Sequence, residues 1–198
     1  MKKILNIKNI ALIAILGGLG AVLMIIDFPI FVAPSFYKLD LGDLPCLIGS
    51  LAMGPIPAFF IQLVKIIIKL LIKPTSTAFV GEIAAFIFSS TYCVLTAYLY
   101  SKNKTKKNAY LSIIVASIIT IIITCIGNYS FIIPAYVKLY NMPLEAIIKA
   151  GSAIFEVVKD KFTFVLFCVA PFNIIKFVLV DILTILLYKR VSYLLKKD

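Results

Sequence analysis

Long stretches without a charged residue dominate this sequence. No Asp, Glu, Lys or Arg occurs from Ile10 to Ile26, nor from Ala109 to Val137. A helix of about 17 to 25 apolar residues can cross the hydrocarbon core of a bilayer, so both stretches are long enough. Of the 198 residues, 62% are hydrophobic and 15% are charged, whereas soluble domains have roughly 45–50% and 25%. The sequence therefore predicts an integral membrane protein.

Six segments are predicted to form an all-α transmembrane bundle. The second segment has about ten residues and is too short to cross a flat bilayer, so it is interpreted as a short helix that meets a re-entrant loop. Asp43 is predicted to be its N-cap. The segments are Ile7–Ile26, Leu44–Met53, Pro57–Ile72, Ala78–Tyr100, Ala109–Val137 and Pro171–Tyr193.

Two regions near the end of the chain need separate treatment. From Asn141 to about Glu156, apolar and polar residues alternate with a helical period. This pattern predicts an amphipathic helix that lies on the membrane surface. Residues 162–170 are apolar again, and whether they belong to the last span stays open.

The basic residues lie between the apolar segments. The net charge is +11, but these residues form no patch or aromatic-interleaved stripe of the kind that binds nucleic acid. With six spans, one side of the membrane carries most of the Lys and Arg residues, and the positive-inside rule makes that side cytoplasmic, together with both termini. Its basic residues are Lys2, Lys3, Lys8, Lys102, Lys104, Lys106, Lys107, Lys189, Arg190, Lys196 and Lys197.

The most informative polar residues stand in the stretch Pro171–Lys176, where the last apolar segment begins. Pro171 is predicted to start the helix. Asn173 and Lys176 are three residues apart, so they share one face of a helix and could hold the edge of a flat polar molecule. In the alternative interpretation, Asn173 caps the helix and Lys176 extends to the membrane interface. Spacing alone leaves both interpretations open.

With the termini in the cytoplasm, Asn173 and Lys176 are predicted to lie towards the outer side of the membrane, and further polar groups are predicted there. Glu82 and Asn128 lie in apolar segments, where an unpaired polar group is costly. The loop 27–45 contains more aromatic and apolar residues than a plain connector needs, so it is interpreted as a lid over a ligand. Because polar groups from several segments converge there, a ligand-binding site is favoured.

The sequence contains none of the usual signs of catalysis. It has no His, no CxxC and no GxSxG, and it lacks the phosphate loop GxxxxGK[ST]. We therefore expect no enzyme activity, no metal and no cofactor, and a substrate-binding subunit whose transport is driven by a partner. Ala14 and Gly18 are four residues apart, as are Gly17 and Ala21. This spacing allows another helix to approach closely, either from a partner or within the bundle.

Several motifs in their order along the chain resemble one known family. They are Phe36–Pro45 (FYKLDLGDLP), Ile48-Gly49, Gly54-Pro55, Gly81-Glu82, Asn128-Tyr129 and Pro171–Lys176 (PFNIIK). Together they are similar to the riboflavin-specific substrate-binding (S) component of energy-coupling factor (ECF) vitamin transporters. The resemblance covers nearly the whole chain.

The resemblance implies a single six-helix domain over residues 1–198 in the cell membrane, with riboflavin bound near the outer face under the first loop. It implies that Ala14 and Gly18 contact a transmembrane coupling subunit, which two ATPase subunits drive. Asn128, Asn173 and Lys176 would hold the isoalloxazine ring. The full set of implied substrate-binding residues is Leu39, Asp40, Asp43, Glu82, Asn128, Asn173 and Lys176.

Two residues depart from the pattern of that family. Ala85 stands where relatives commonly have Asn, and Phe177 follows Lys176 where they commonly have Gly. The first change would remove a polar contact, and the second would tighten helix packing behind the site. The alternatives are an S component for another small vitamin and a stand-alone secondary carrier, although the inverted repeats of many carriers are absent.

Overall fold

The computed structural model describes residues 6–139 and 141–196, with side chains described up to residue 187. Most of this part of the chain is helical, which confirms the predicted all-α class. The helices are α1 (Ile7–Ile25), α2 (Asp43–Met53), α3 (Pro55–Ile72), α4 (Val80–Lys102), α5 (Lys106–Gly127), α6 (Ile133–Leu139), α7 (Leu144–Ser152), α8 (Lys161–Phe164) and α9 (Ala170–Lys196).

Two short π-helical segments join some of these helices into longer ones. The segment π1 (Asn128–Ile132) connects α5 to α6, and π2 (Val165–Val169) connects α8 to α9. Within the described residues, five continuous helices are long and apolar enough to cross a membrane. They are Ile7–Ile25, Pro55–Ile72, Val80–Lys102, Lys106–Leu139 and Lys161–Leu187.

The second predicted span is the short helix α2. It packs against α1, α3, α4 and α9, and most of its residues are buried. Only Gly54 separates it from α3, so there is no room for the expected re-entrant loop. Gly54 has φ +99°, a conformation that favours glycine, and Pro55 starts the next helix.

The prediction that Asp43 caps α2 was wrong. The N-cap is Gly42, and Asp43 is the first helical residue, with no capping hydrogen bond from a side chain. The Asp43 carboxylate instead points to neighbouring helices, because buried cations and donors there offer it stronger partners than its own helix does.

The prediction that Pro171 starts the last helix was also wrong. The helix begins at Lys161, where Asp160 and Thr163 form a capping box. Pro171 lies inside the continuous helix, just after π2. The π turn interrupts the regular hydrogen-bond ladder, so a residue without an N–H costs less at this position. Residues 162–170 therefore belong to the last span.

The amphipathic helix after Asn141 is shorter than predicted and packs on protein. It ends at Ser152, so Glu156 lies outside it. Ile147 and Gly151 are buried, and a Cβ on Gly151 would lie 2.7 Å from a ring carbon of Phe164. The apolar side of α7 therefore packs on the helix bundle, and its position at the membrane surface stays a prediction.

The loop between α1 and α2 folds back onto the helices. Its two ends pair as a short antiparallel ladder of β1 (Phe28–Pro29) and β2 (Lys38–Leu39). Between them, buried Val32 and Ala33 pack with Leu39 against Phe172 of α9. This packing holds the loop over one end of the bundle.

A polar contact joins three helices deeper in the bundle. The buried carboxylate of Asp181 on α9 accepts hydrogen bonds from the hydroxyls of Tyr92 on α4 and Ser117 on α5. The Tyr92 ring also packs on Phe177, with ring centroids 4.7 Å apart. Asp181, which the sequence left without a role, thus links α4, α5 and α9.

Candidate functional site

A cavity of about 390 Å³ lies under the loop 26–42. This volume falls within the roughly 300–1,000 Å³ typical of small-molecule sites. The loop forms its cover, the ends of α3 and α4 form one wall, and α5, π1, α6 and α9 form the other. Aromatic side chains and a group of amide, ammonium and carboxylate side chains both face the space.

Two asparagine amides lie next to the π segments. Asn128 is the first residue of π1, and Asn173 follows π2 by four residues. Each side-chain NH₂ donates to the carbonyl four residues earlier, at 2.9 Å to Thr124 and at 2.8 Å to Val169. Because π1 and π2 also contact each other, both amides are held in fixed orientations on adjoining walls of the cavity.

The side-chain oxygen atoms of these two amides differ in whether they accept a hydrogen bond. The Oδ1 atom of Asn128 accepts a hydrogen bond of 2.8 Å from the hydroxyl of Tyr37 in the loop. Burial raises the pKa of this Tyr37 hydroxyl, so it remains protonated and donates. The Oδ1 atom of Asn173 has no hydrogen-bond partner among the described side chains and backbone groups, and its residue lines the cavity.

Lys176 lies on the same face of α9 as Asn173. Its ammonium is 3.1 Å from Oδ2 of Asp40 and 3.3 Å from Oδ2 of Asp43, and its side chain is 13% exposed. The backbone N–H of Gly42 donates to the other oxygen of Asp40 at 2.8 Å. Lys176 is therefore an ion-paired residue inside the bundle, and Asn173 lies in mid-helix. The alternative in which they cap the helix and extend to the interface was wrong.

A second carboxylate faces the cavity from the start of α4. Glu82 is paired with the ammonium of Lys69 through Oε1, and it accepts hydrogen bonds from Thr75 and Thr77 through Oε2. Nearer the solvent, Lys73 makes contacts of 3.0 and 3.1 Å with the carboxylate of Asp27. Glu82, Lys69, Lys73 and Asp27 thus form a second charged group among the residues that line the cavity.

Five of the seven substrate-binding residues implied by the resemblance line the cavity. They are Asp40, Glu82, Asn128, Asn173 and Lys176. Leu39 is buried among apolar residues of the loop, and Asp43 is fully buried behind Lys176. The two positions that depart from the family pattern, Ala85 and Phe177, both line the cavity.

Sequence reasoning did not assign the buried partners of Asp43. Oδ1 of Asp43 accepts from the ammonium of Lys65 at 2.6 Å and from Gln62 at 3.1 Å, and Oδ2 accepts from Ser89 at 2.9 Å. A usable signal was present, since Gln62, Lys65 and Lys69 recur at intervals of three and four on one face of an apolar helix.

The two pairs of small residues on α1 point in different directions. Gly17 and Ala21 are buried, and a Cβ on Gly17 would lie 2.6 Å from Cγ1 of Val64 on α3. Ala14 is exposed, and a Cβ on Gly18 would meet nothing closer than Ile68 Cδ1 at 3.9 Å. One pair therefore packs within the bundle, and the other faces outward.

Comparisons with known proteins agree on one family. Residues 8–188 match the family described as "ECF transporter, substrate-specific component". The chain is 31% identical over 196 residues to the riboflavin transporter RibU of Staphylococcus aureus (strain TCH60), which covers 96% of this chain and 93% of that protein. It is 26% identical over 162 residues to the riboflavin transporter FmnP of Bacillus subtilis (strain 168), covering 78% of this chain and 85% of that protein.

A solved structure has the same architecture. It is described as "Structure and mechanism of the S component of a bacterial ECF transporter" and superposes with a TM-score of 0.72 at 28% identity, covering 96% of this chain and 98% of that one. The family match spans most of the sequence, the fold agrees over nearly its whole length, and the described part of the chain has five helices apolar enough to cross a membrane. This chain is therefore a multi-pass membrane protein that belongs to the family of substrate-specific (S) components of ECF transporters.

Proposed function

We propose that this protein is the riboflavin-binding S component of an ECF vitamin transporter. The observation that carries the proposal is the convergence of Asn128, Asn173 and Lys176 on one cavity, where two tethered amides and an ammonium face an aromatic space. The relatives named as riboflavin transporters support the same ligand.

The polar groups match the pyrimidine edge of a flavin. That edge presents acceptor, donor and acceptor in alternation. An Asn amide supplies one donor and one acceptor group, and Lys176 supplies donors for an electron-rich carbonyl or ring nitrogen. The free Oδ1 of Asn173 is suited to accept from the ring N–H. Both amides are already oriented by their own helices, so binding requires little reordering.

The apolar part of the cavity suits the rest of the ring system. Phe36, Phe88 and Phe172 line it and provide aromatic walls for the dimethylbenzene end. The hydroxyl-rich side chain of riboflavin would extend towards Glu82 and Thr77, which can accept and donate hydrogen bonds. Ala85 offers no amide there, so these two residues take a larger share of the polar contacts.

The orientation follows from the charge distribution. We place the cavity at the outer face and both termini in the cytoplasm, because the loop Lys102–Lys107 lies at the opposite end of α4 and α5 and carries only positive charge. Loop 26–42 would then act as the lid over captured riboflavin.

Transport would require partners. The small residues Ala14, which is exposed, and Gly18, which is half-buried, let another transmembrane helix approach closely, which suits a coupling subunit driven by two ATPase subunits. This protein, acting as one domain over residues 1–198, would bind its substrate without catalysis or a cofactor.

The test is a binding measurement on the purified protein in detergent. We expect a yellow preparation with a flavin absorption spectrum and, after removal of bound ligand, saturable quenching of riboflavin fluorescence. Binding of another vitamin without riboflavin binding would favour an S component of different specificity. Riboflavin uptake by vesicles containing this chain alone would instead identify a stand-alone carrier.

A further inference from the structure

Four charged side chains form a cluster beside the cavity, which we call the ion quartet. It consists of Asp40, Asp43, Lys65 and Lys176. Lys65 is 2.6 Å from Oδ1 of Asp43, and Lys176 is 3.3 Å from Oδ2 of Asp43 and 3.1 Å from Oδ2 of Asp40. The chain of contacts therefore runs from Lys65 through Asp43 to Lys176 and ends at Asp40.

Only half of the ion quartet can touch a ligand. Asp40 and Lys176 line the cavity, whereas the side chains of Lys65 and Asp43 are 1% and 0% exposed. Any influence of Lys65 on a bound molecule must therefore pass through Asp43 and Lys176.

The fold makes specific room for Lys65. The stem of Lys65 passes close to Gly20 of α1, where a Cβ would lie 3.2 Å from Lys65 Cδ and 2.9 Å from the carbonyl oxygen of Gly42. A side chain at this position would crowd both the lysine and the start of α2. The absence of a side chain at Gly20 is therefore part of the arrangement that holds Lys65 against Asp43.

Charge balance gives Lys65 a defined role. With Lys65 present, two carboxylates face two ammonium groups, and the ion quartet is neutral. Lys176 has three N–H donors and two carboxylate neighbours, so one donor remains for the cavity. Without Lys65, Lys176 would be the single cation for two carboxylates, and the buried cluster would carry a net negative charge.

We infer that Lys65 is a positioning residue for ligand binding, because its neutralisation of Asp43 leaves Lys176 able to donate into the cavity. This inference rests on the proposed function, in which Lys176 contacts riboflavin. Charge interactions are strong in a buried, poorly screened site, so an unneutralised Asp43 would hold the Lys176 ammonium more firmly against the two carboxylates and away from the ligand.

The test compares riboflavin dissociation constants, measured by fluorescence quenching, among charge variants. We expect Lys65→Met to weaken binding by about tenfold or more, the loss expected when a charged hydrogen-bond donor is withdrawn. The double variant Asp43→Asn/Lys65→Met removes one charge of each sign and restores neutrality. We expect it to bind within about threefold of the wild type and to fold even if the single variant does not, because it leaves no buried charge uncompensated.

A double-mutant cycle distinguishes positioning from general stabilisation. In a Lys176→Met background, Lys65→Met should change the dissociation constant by less than about threefold, since the residue through which it acts is absent. The matched control is Lys69→Met, one helical turn further along α3 and paired with Glu82 instead. Its effect should be the same with and without Lys176.

The possible results distinguish failure of the inference about Lys65 from failure of the proposed riboflavin binding. The inference is overturned if Lys65→Met binds like the wild type, if the double variant binds as poorly as the single one, or if the effect of Lys65→Met persists in full without Lys176. Lack of riboflavin binding by the wild type would overturn the proposed function and this inference with it. A wild type that binds normally, with Lys65 acting independently of Lys176, would overturn the inference alone.

Discussion

Two adjacent glycines on α1 give the sharpest test of the partner interface. Gly17 and Gly18 are consecutive glycines of one helix, but Gly17 is packed tightly against Val64 of α3, whereas Gly18 lies on a more open face. Replacing each with leucine makes the same chemical change once inside the bundle and once on its outer surface. The comparison separates residues that hold this chain together from residues that meet another one.

The distances give the expected magnitude of each change. At Gly17, a Cβ would lie 2.6 Å from Cγ1 and 2.8 Å from Cβ of Val64, well inside the roughly 3.5–4.0 Å of a normal carbon contact. Overpacking of this kind typically costs about 1–3 kcal/mol or more, so we expect Gly17→Leu to lower Tm by at least several degrees. At Gly18, the nearest atom is Ile68 Cδ1 at 3.9 Å, and we expect little change in Tm.

The assay combines binding with uptake. Gly18→Leu, and likewise Ala14→Leu on the same face, should bind riboflavin in detergent within about threefold of the wild type. Both should fail to support growth of a strain that depends on external riboflavin, because added side-chain volume keeps the partner helix at a distance. Membrane levels of every variant are measured by immunoblotting as the control for expression.

Two results would refute this reasoning. Loss of riboflavin binding by Gly18→Leu would show that this face packs within the chain's own bundle. Normal uptake by both Gly18→Leu and Ala14→Leu would show that no partner helix approaches there.

Three further predictions follow from the site and its surroundings. Asn173→Ala and Lys176→Ala should each weaken riboflavin binding by more than about tenfold in a fluorescence titration, because a buried partner left unpaired costs roughly 1–3 kcal/mol; wild-type affinity would contradict this. In a Cys-free background, a cysteine at Asn103 should resist impermeant reagents added to intact cells and one at Lys149 should react, so outside labelling at Asn103 would reverse the topology. Hydrogen bonds from the helix that Asp160 caps lower the pKa of its carboxyl. The stability that this cap contributes is therefore present above the unfolded pKa of about 3.9 and is lost as the pH falls through the lower folded pKa. The Tm difference between wild type and Asp160→Ala should shrink over that pH range, and a constant difference would contradict the assignment.

The positions of the polar site residues could be predicted because a polar group in an apolar span is costly. Asn128, Asn173 and Lys176 stand out in nearly uncharged stretches, and their presence there needed a structural reason. All three line the cavity. That the described residues contain five long spans followed largely from their apolar composition, since length and hydropathy decide whether a helix can cross a membrane.

The π segments could not be predicted. Because π2 was not predicted, the start of the last helix was placed too late in the sequence. A π turn differs from an α turn by one hydrogen-bond step, which leaves no periodicity long enough to recognise in the sequence. Pro171 was therefore taken as a helix start, although it lies ten residues into a continuous helix. The same π segments place Asn128 and Asn173 on adjoining walls, so the detail that most affects the site came only from the structure.

The two lysines of α3 show why partners were harder to predict than positions. Lys65 and Lys69 are four residues apart on one face, in the same apolar surroundings, and nothing local distinguishes them. In the structure, Lys65 lies beside Gly20 and reaches Asp43, whereas Lys69 lies one turn further along the helix and reaches Glu82. Which carboxylate each lysine meets depends on the depth at which α3 passes its neighbours, and tertiary packing sets that depth. One turn of helix thus separates a lysine that faces the cavity from one that acts behind it.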